Sequence, residues 1–372
     1  MVEVPVNTAY KGDFLAHVLN DSRASTLVVE DAYVERIARV AGDLTALRTL
    51  VVRGDPAAAE GLPLRVVGLD EVVSAAPLPA VDVDAGELAA LGYTSGTTGR
   101  SKGVMISHAH AYTYASREDQ DRPRRGDRML VTLPLFHIAG LWFGVYQGLI
   151  HRCRVVLEPG FSVSRFWPTV REHDITVTVM LGAMAELLGQ AEAASDDADN
   201  PLELAIMAPL ASDVVGFAER FGIDLAAVYG MSEIGCVLVG PPDSVVGGEC
   251  GFARPGYDLA LVGPDGAEVP TGAVGELWVR PEDPRLVMRG YHGLPEKTAE
   301  TMVEGWVHTG DAFRRDEHGR FFFADRMKDA LRRSGENVSS FEVERVVNEH
   351  PDVGESAVVA VPSDLAEDEI KA

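Results

Sequence analysis

The chain has 372 residues, of which 46% are hydrophobic and 24% charged, and its formal net charge is −24. This composition predicts a globular protein, and so acidic a balance argues against nucleic acid and anionic membranes as general partners. Cys153, Cys236 and Cys250 are too dispersed for a zinc site or a disulfide framework, so we expect reduced thiols in the cytoplasm. We expect no signal peptide, because the opening MVEVPVNTAY is neither basic nor apolar, and no apolar run approaches the roughly 20 residues that span a bilayer.

Short apolar runs suited to buried strands alternate with helical stretches through the first two thirds of the chain. The predicted strands lie at 25–29, 48–52, 129–133, 154–157, 176–181 and 225–228. The predicted helices lie at 13–19, 32–40, 138–150 and 166–173, and two more begin after the capping residues Ser107 and Ser212. This order predicts an α/β fold with a parallel-rich sheet.

The character of the sequence changes near residue 247. Glycine and proline become frequent, and short strands are predicted at 258–262 and 275–280, which indicates a smaller β-rich lobe. We therefore expect an α/β part over 1–246, a β-rich lobe over 247–327 and a third unit over 328–372.

A loop rich in glycine, serine and threonine is the most informative stretch of the chain. Residues 91–104 read LGYTSGTTGRSKGV, and bare backbone amides with small hydroxyl groups suit phosphate oxygens. Lys102 adds a mobile positive charge. The spacing differs from a Walker A loop, because Gly103 leads into a predicted strand and not a helix. The alternative is a flexible surface loop, although such a loop rarely places a lysine between glycines and apolar strands.

Two further motifs carry polar side chains suited to a nucleotide. Tyr229 to Glu233 (YGMSE) follows a predicted strand end, where open α/β sheets place ligands. Glu233 is a hard oxygen ligand suited to Mg²⁺, and Ser232 is a donor for a phosphate or acyl oxygen. Asp311, in HTGD, has two oxygens that could accept from ribose hydroxyls. Taken alone, these motifs are also compatible with ordinary glycine and Asx turns.

With five signatures in order, the chain resembles the adenylate-forming superfamily of acyl-CoA synthetases, adenylation domains and luciferases. The five are TSGTTGRSKG, YGMSE, HTGD, DRMKD and SGENVSS. The resemblance implies a large domain of stacked, parallel-rich α/β sheets with a small β-rich lobe, followed by the start of a small C-terminal α+β domain. PLFHIAG and SGENVSSFEVE look most like bacterial acyl-CoA synthetases, in particular the crotonobetaine/carnitine-CoA ligase group.

The resemblance also implies roles for individual residues. Catalysis falls to Lys102, Ser232, Glu233 and His137, with Glu233 as the metal ligand; without the resemblance, a histidine in an apolar run such as His137 is more often a core residue. Nucleotide binding falls to Thr94, Ser95, Gly96, Thr97, Thr98, Gly99, Lys102, Tyr229, Gly230, Met231, Ser232, Asp311 and Arg326. The acyl pocket is expected to include Phe136, His137, Leu181, Gly182, Ala183, Ala208, Gly235 and Cys236. Lys328 is the expected hinge, and Gly335 and Glu336 belong to the expected thiolation loop.

The implied reaction has two steps and three small molecules. A small carboxylic acid attacks MgATP to give acyl-AMP and pyrophosphate, and coenzyme A then displaces AMP. A carrier-protein thiol in place of coenzyme A is a less favoured alternative. A protein that binds nucleotide and acyl ligands without turnover is the competing hypothesis, and the oligomeric state is open.

The ends of the chain differ from the superfamily pattern. We expect that a stretch before residue 1 is missing. We also expect that most of the C-terminal domain is missing, including the catalytic lysine of a Gly-Lys motif. Lys371 is not that lysine, because its surroundings (DEIKA) match an earlier strand. Three explanations stay open: a piece of a longer ligase, a natural short form with impaired turnover, or a partner chain that supplies the missing parts.

Overall fold

The structure is a computed structural model that describes most of the chain. The described residues are 1–94, 100–116, 123–326, 331–333, 336–338, 344, 347, 353, 356–362 and 368–371. Within these ranges, none of the helices combines the length and hydrophobicity of a membrane-spanning segment.

The first part of the chain forms a three-stranded parallel sheet covered by helices. Its helices are α1 (Gly12–Asp21), α2 (Val34–Val40) and α3 (Leu69–Val73). Its strands, in sheet order, are β1 (Thr26–Glu30), β2 (Thr49–Arg53) and β3 (Arg65–Gly68). Leu19 of α1 and Leu50 of β2 are almost completely buried in its core. Two of the three strands were predicted, and β3 was not.

A two-stranded antiparallel hairpin follows and carries the predicted phosphate loop. Strand β4 (Leu88–Thr94) pairs with β5 (Lys102–Ser107), and the register places Thr94 opposite Lys102. Helix α4 (His108–Ala115) begins directly after β5. The hydroxyl of Ser107 accepts a hydrogen bond from the His110 amide at 3.0 Å, so the predicted helix cap is confirmed.

A run of parallel strands and helices then builds the main core. The strands are β6 (Arg128–Val131), β7 (Arg154–Leu157), β8 (Val177–Met180), β9 (Leu204–Met207) and β10 (Asp224–Met231). They pair in the order β7-β6-β8-β9-β10, all parallel. The helices are α5 (Ile138–Gly140), a π-helical turn (Leu141–Tyr146), α6 (Gln147–Ile150), α7 (Val163–Glu172), α8 (Gly182–Gly189) and α9 (Val214–Phe221).

The predicted helix over 138–150 is helical throughout, but it differs from the expectation in two respects. Its middle is a π-helical turn, and its outer face is solvated, since the Leu149 side chain is 62% exposed. Trp142 and Phe143 on the inner face pack into the core, which explains the apolar sequence.

The sheet continues into an antiparallel region. Its strands are β11 (Gly235–Val239), β12 (Glu249–Ala253), β13 (Tyr257–Val262), β14 (Val274–Pro281), β15 (Met302–Val303), β16 (Trp306–Arg315) and β17 (Phe321–Arg326), with α10 (Pro295–Thr301) between β14 and β15. Strand β10 joins the two regions, because its first half pairs with β9 and its second half with β11. Strands β6 to β17 thus form one sheet of twelve strands, and the division of the chain at residues 246 and 327 remains a prediction.

Short elements complete the described part of the chain. Two antiparallel pairs follow β17, and they are β18 (Leu331–Arg333) with β19 (Glu336–Val338) and β20 (Val359–Pro362) with β21 (Asp368–Lys371). Short 3₁₀ turns lie at Asp31–Tyr33, Ala41–Asp43, Pro56–Ala59 and Pro284–Leu286.

The cap of α9 was predicted one residue too early. Asp213, and not Ser212, caps this helix, because its carboxylate accepts a hydrogen bond from the Gly216 amide at 2.9 Å. The Ser212 amide instead donates to the carboxylate of Glu186 on α8. Serine and aspartate are about equally good caps, so residue type alone did not separate them.

Replacing Asp213 with alanine should lower the free energy of unfolding by about 1 kcal/mol, because an amide of the first turn loses its acceptor. Chemical denaturation monitored by circular dichroism measures the change. Ser212→Ala is the matched control and should leave stability within about 0.5 kcal/mol of the parent. Equal losses in the two variants would contradict the assigned cap.

Candidate active site

The carboxyl ends of the parallel strands meet at one edge of the sheet, and the predicted site residues follow them. Phe136 lies after β6, Leu181 after β8 and Ala208 after β9, while Tyr229 lies near the end of β10. Ligands of open α/β sheets bind at this edge. The topology therefore collects the predicted acyl and nucleotide residues on one side of the sheet.

Tyr291 lies between the two charged residues on which the predicted site depends. The Tyr291 hydroxyl donates a hydrogen bond to Oε1 of Glu233 at 2.8 Å. The Nζ atom of Lys102 lies 4.4 Å from the centroid of the Tyr291 ring, within the range of a cation–π contact. The structure thus brings Lys102 and Glu233 to one place, as the shared-nucleotide interpretation of the two motifs requires.

Backbone pairing fixes the position of Tyr291. The segment that contains it runs beside β5, where the Met105 amide donates to the Gly290 carbonyl and the His292 amide donates to the Gly103 carbonyl, at 2.9 and 2.8 Å. The Met288 amide also donates to the carbonyl of Glu233 at 2.8 Å. The aromatic ring is therefore held between the lysine strand and the glutamate turn by main-chain hydrogen bonds.

Glu233 is a buried carboxyl group, with 5% of the residue exposed. Burial raises its pKa above the usual value, and the nearby charge of Asp311 acts in the same direction. The Tyr291 hydrogen bond and the positive charge of Lys102 oppose this shift. A desolvated carboxylate with few partners is ready to accept a cation, because a cation would offset the cost of its buried charge.

A second pair of predicted residues, Tyr229 and Asp311, is joined by a hydrogen bond. The Tyr229 hydroxyl donates to Oδ2 of Asp311 at 2.6 Å. The Tyr229 ring packs edge-on against Phe313, with centroids 4.7 Å apart. Burial, followed by the charge of Asp311, raises the pKa of Tyr229 well above its usual value, so the phenol stays a donor.

Asp311 is fixed by its own turn and by its sheet. Its amide donates to the hydroxyl of Thr309 at 3.1 Å, and the Gly310 amide donates to Glu276 at 2.9 Å. Gly310 has a φ of +74°, which favours glycine in this turn. In the β16–β17 register Asp311 lies opposite Arg326, so two residues predicted to bind the nucleotide are cross-strand neighbours.

The predicted acyl-pocket residues lie in two groups. Gly182 begins α8, and its amide donates to the Pro209 carbonyl at 3.0 Å, which places Leu181, Gly182 and Ala183 beside Ala208. A side chain at Gly182 would lie 2.8 Å from the backbone of Leu210, so the close approach requires glycine. Gly235 and Cys236 are buried at the start of β11.

Phe136 and His137 lie at the rim of this edge. Their ring centroids are 4.8 Å apart, and His137 directly precedes α5. His137 is partly exposed to solvent and not a core residue, and partial burial of its ring lowers its pKa. The neutral form is therefore favoured near neutral pH.

Several predicted residues are only partly described or lie outside the described part. Thr94 ends β4, and Gly230, Met231 and Ser232 lie at the end of β10 and in the turn after it. Gly230 directly faces the Gly235 carbonyl, which leaves no space for a side chain. For Arg326 and Glu336 only the backbone is described. Outside the described residues are Ser95, Gly96, Thr97, Thr98, Gly99, Lys328 and Gly335.

Tyr291, which contacts both Lys102 and Glu233, was not among the predicted site residues. Its local sequence, Gly290-Tyr291-His292-Gly293, places an aromatic residue in a glycine turn, and such a turn usually indicates a loop. A signal for its role therefore exists only in the tertiary structure, where β5 pairs with this turn.

The residues present fit a magnesium ion that is held jointly with phosphates. No group of three histidine, cysteine or acidic side chains arranged to hold a metal occurs in the ranges that the structure describes. Mg²⁺ does not need one, because it commonly binds one or two carboxylates together with substrate phosphates and water. Glu233, with its raised pKa and its place beside Lys102, offers such a carboxylate.

Glu233→Gln should stabilise the ligand-free protein at neutral pH. Because the pKa of Glu233 is raised, the folded state binds more protons than the unfolded state just above the usual glutamate pKa, and stability falls as pH rises through that window. We expect the midpoint of thermal unfolding to rise by about 1 to 3 °C at neutral pH, with little difference below pH ~4. Glu60→Gln, at an exposed position, is the control. A lower midpoint for Glu233→Gln at neutral pH would contradict this electrostatic account.

Comparison with known proteins agrees with this arrangement. The family described as AMP-binding enzyme matches residues 1–292. The fatty acid–[acyl-carrier-protein] ligase ScoC of Streptomyces coeruleorubidus is 33% identical over 98% of this chain and 70% of its own length. A crotonobetaine/carnitine–CoA ligase of Salmonella paratyphi A is 29% identical over 100% of this chain and 73% of its own length.

Comparison with solved structures agrees as well. The anthranilate CoA ligase AuaEII, solved with anthranoyl-AMP, superposes with a TM-score of 0.87 over 99% of this chain and 71% of that protein, at 27% identity. The α/β fold predicted from the resemblance is therefore confirmed. From the family match and the identity to its relatives, the chain belongs to the AMP-binding enzyme family, whose members form acyl-adenylates.

Proposed function

We propose that the protein is an AMP-forming acid–thiol ligase that activates a carboxylic acid with ATP and passes the acyl group to coenzyme A. The observation that carries the proposal is the placement of Lys102 and Glu233 on two sides of Tyr291, beside the Tyr229–Asp311 pair. A cation, a metal-binding carboxylate and a ribose-binding carboxylate are then available to one nucleotide. Family membership supports the same chemistry.

In the first step, a carboxylate oxygen of the acid attacks the α-phosphorus of ATP. The bond from that phosphorus to the oxygen bridging to the β-phosphate breaks, and pyrophosphate leaves with the electron pair. Two anions approach each other here, so cations and amide donors are needed around the phosphates. Lys102, at the base of the phosphate loop, supplies a mobile ammonium, and Ser232 in the turn after β10 supplies a hydroxyl donor.

Tyr229 and Asp311 serve the nucleoside. The Asp311 carboxylate accepts from ribose hydroxyls, and the hydrogen bond from Tyr229 fixes the orientation of that carboxylate. Arg326, opposite Asp311 in the sheet, acts on the same ribose or on the α-phosphate. Glu233 holds the magnesium ion, which when bound neutralises phosphate charge.

In the second step, the sulfur of the thiol attacks the acyl carbon of acyl-AMP, a thioester forms, and AMP leaves. We propose that Gly335 and Glu336 belong to the loop that approaches the acyl group and that Lys328 is the hinge.

The thiols of the three cysteines favour a reducing compartment such as the cytoplasm. The pocket for the acyl group of the acid is lined by Phe136, His137, Leu181, Ala183 and Ala208.

A carboxylate-dependent exchange between ATP and pyrophosphate tests the first step. Lys102→Ala should lower the exchange rate by about 100-fold, because the charge opposite the phosphates is lost. Asp311→Asn should mainly raise the KM for ATP, because the amide accepts less strongly from the ribose. Lys11→Ala, at an exposed position directly before α1, is the matched control and should leave the rate unchanged.

Calorimetric titration with AMP separates loss of binding from loss of chemistry. If Asp311→Asn weakens AMP binding but no acid of a broad panel supports exchange in the wild-type protein, that result would contradict a ligase. It would favour a nucleotide-binding protein. Failure of the wild-type chain to bind either ATP or AMP would remove both interpretations.

A thioester assay with two thiols tests the second step. We expect faster acyl transfer to free coenzyme A than to a phosphopantetheinylated carrier protein at equal concentrations. The carrier is the natural alternative, since the curated relative ScoC is named as an acyl-carrier ligase. Faster loading of the carrier would reassign the thiol and leave the adenylation step intact.

A further inference from the structure

Residues 309–311, which include the proposed ribose-binding carboxylate, form a bulge in β16. In the pairing of β14 with β16, Trp278 lies opposite His308. The next aligned pair on that side is Glu276 opposite Ala312, so one residue of β14 faces three residues of β16. Bulges re-aim side chains and are common beside active sites. The direction of the carboxylate therefore depends on the contacts that hold the bulge.

Glu276 supplies the side chain that holds this bulge. Its Oε1 atom accepts a hydrogen bond from the Gly310 amide at 2.9 Å, and its Oε2 atom accepts one from Nε1 of Trp278, also at 2.9 Å. The Thr309 hydroxyl adds a hydrogen bond to the Leu277 carbonyl at 2.7 Å. The extra residues of a bulge lack ladder partners, and here a carboxylate gives one of their amides a charge-assisted acceptor. That amide is adjacent in sequence to the ribose-binding carboxylate.

The indole of Trp278 is restrained by an aromatic stack. The centroid of its ring lies 3.9 Å from that of the His308 ring, and the two ring planes are 12° apart. The backbones of the same two residues are opposite each other in the β14–β16 register. The indole N–H therefore reaches Glu276 from a ring that is held on its strand. The carboxylate is fixed between two donors, one on each oxygen.

These contacts require an acceptor at both oxygen positions of residue 276. A backbone amide and an indole N–H can only donate, and an ionised carboxylate can only accept. A glutamine side chain would accept from one donor and turn its own NH₂ group toward the other. Glutamate at this position is therefore matched to the bulge by its charge state as well as by its length.

We propose that Glu276 is a positioning residue for the nucleotide, because it holds the bulge in the form that presents Asp311 to the ribose hydroxyls. It acts through the Gly310 amide and does not itself contact the nucleotide. The Tyr229 hydroxyl, which donates to Oδ2 of Asp311 at 2.6 Å, restrains the same carboxylate from another strand. The inference rests on the proposed function, since that proposal assigns the ribose to Asp311.

Calorimetric titration with AMP, together with the ATP dependence of the exchange rate, tests the inference. Glu276→Gln should raise the Kd for AMP by about three- to tenfold, as expected for the loss of one hydrogen bond. The KM for ATP should rise by a similar factor and kcat should stay within about twofold, because ground state and transition state lose the same contact. Glu282→Gln, the same substitution at an exposed position directly after β14, is the control and should change neither.

Two double variants separate positioning from a general loss of stability. Trp278→Phe keeps a ring that can stack on His308 and removes the indole donor, so the NH₂ group introduced by Glu276→Gln no longer faces another donor. In that background Glu276→Gln should change the Kd for AMP by less than about twofold. In the Asp311→Asn background its effect should also be below about twofold, because the carboxylate that Glu276 orients is already lost. Glutamine has the size of glutamate, so we expect these variants to fold.

The outcomes separate this inference from the ligase proposal. If Glu276→Gln weakens AMP binding and both backgrounds suppress the effect, but the wild-type protein shows no exchange, the positioning role is supported and the ligase function is contradicted. An unchanged Kd in Glu276→Gln overturns the positioning role, even if the midpoint of thermal unfolding falls. Equal losses of affinity in all three backgrounds, or no AMP binding by the wild-type protein, overturn it as well.

Discussion

The contact of Tyr291 with both Lys102 and Glu233 is the interaction on which the site depends. A buried carboxylate is costly, and an ammonium left to itself would remain in solvent. The phenol lowers the first cost with a hydrogen bond, and its ring attracts the ammonium. The opposite charges thereby both contact one tyrosine side chain. A ligand with phosphate groups and a metal ion can then replace weak protein contacts with stronger ones of its own.

Much of the fold was predictable because its physical signals are local. Buried parallel strands are short apolar runs, and the runs at 154–157 and 176–181 correspond closely to β7 and β8. The hydroxyl of Ser107 at the end of β5 was also a local signal, and it caps α4. The motifs at Lys102, Glu233 and Asp311 combine glycine with a charged residue, so their chemistry was visible without a structure.

The remaining features depend on tertiary contacts that no local pattern encodes. Strand β3 (Arg65–Gly68) contains only two apolar residues, Val66 and Val67, and ends at a glycine, so it does not stand out until it pairs with β2. Asp213 caps α9, while the Ser212 amide donates to the carboxylate of Glu186 on α8, a contact that the local sequence does not reveal. Tyr291 gains its role from β5, because it pairs with Val104, which lies nearly 190 positions earlier in the sequence.

The hydrogen bonds of the site join parts of the chain that lie far apart in sequence. Tyr229 and Asp311 are separated by 82 positions, and Glu233 and Tyr291 by 58. Closing such loops costs entropy before any contact repays it, and topologies with many such contacts fold slowly. We therefore expect the substrate-binding geometry to form late in folding, after β10 has paired with both of its neighbours. Newly made chains would acquire their compact core before they acquire any ability to retain a nucleotide.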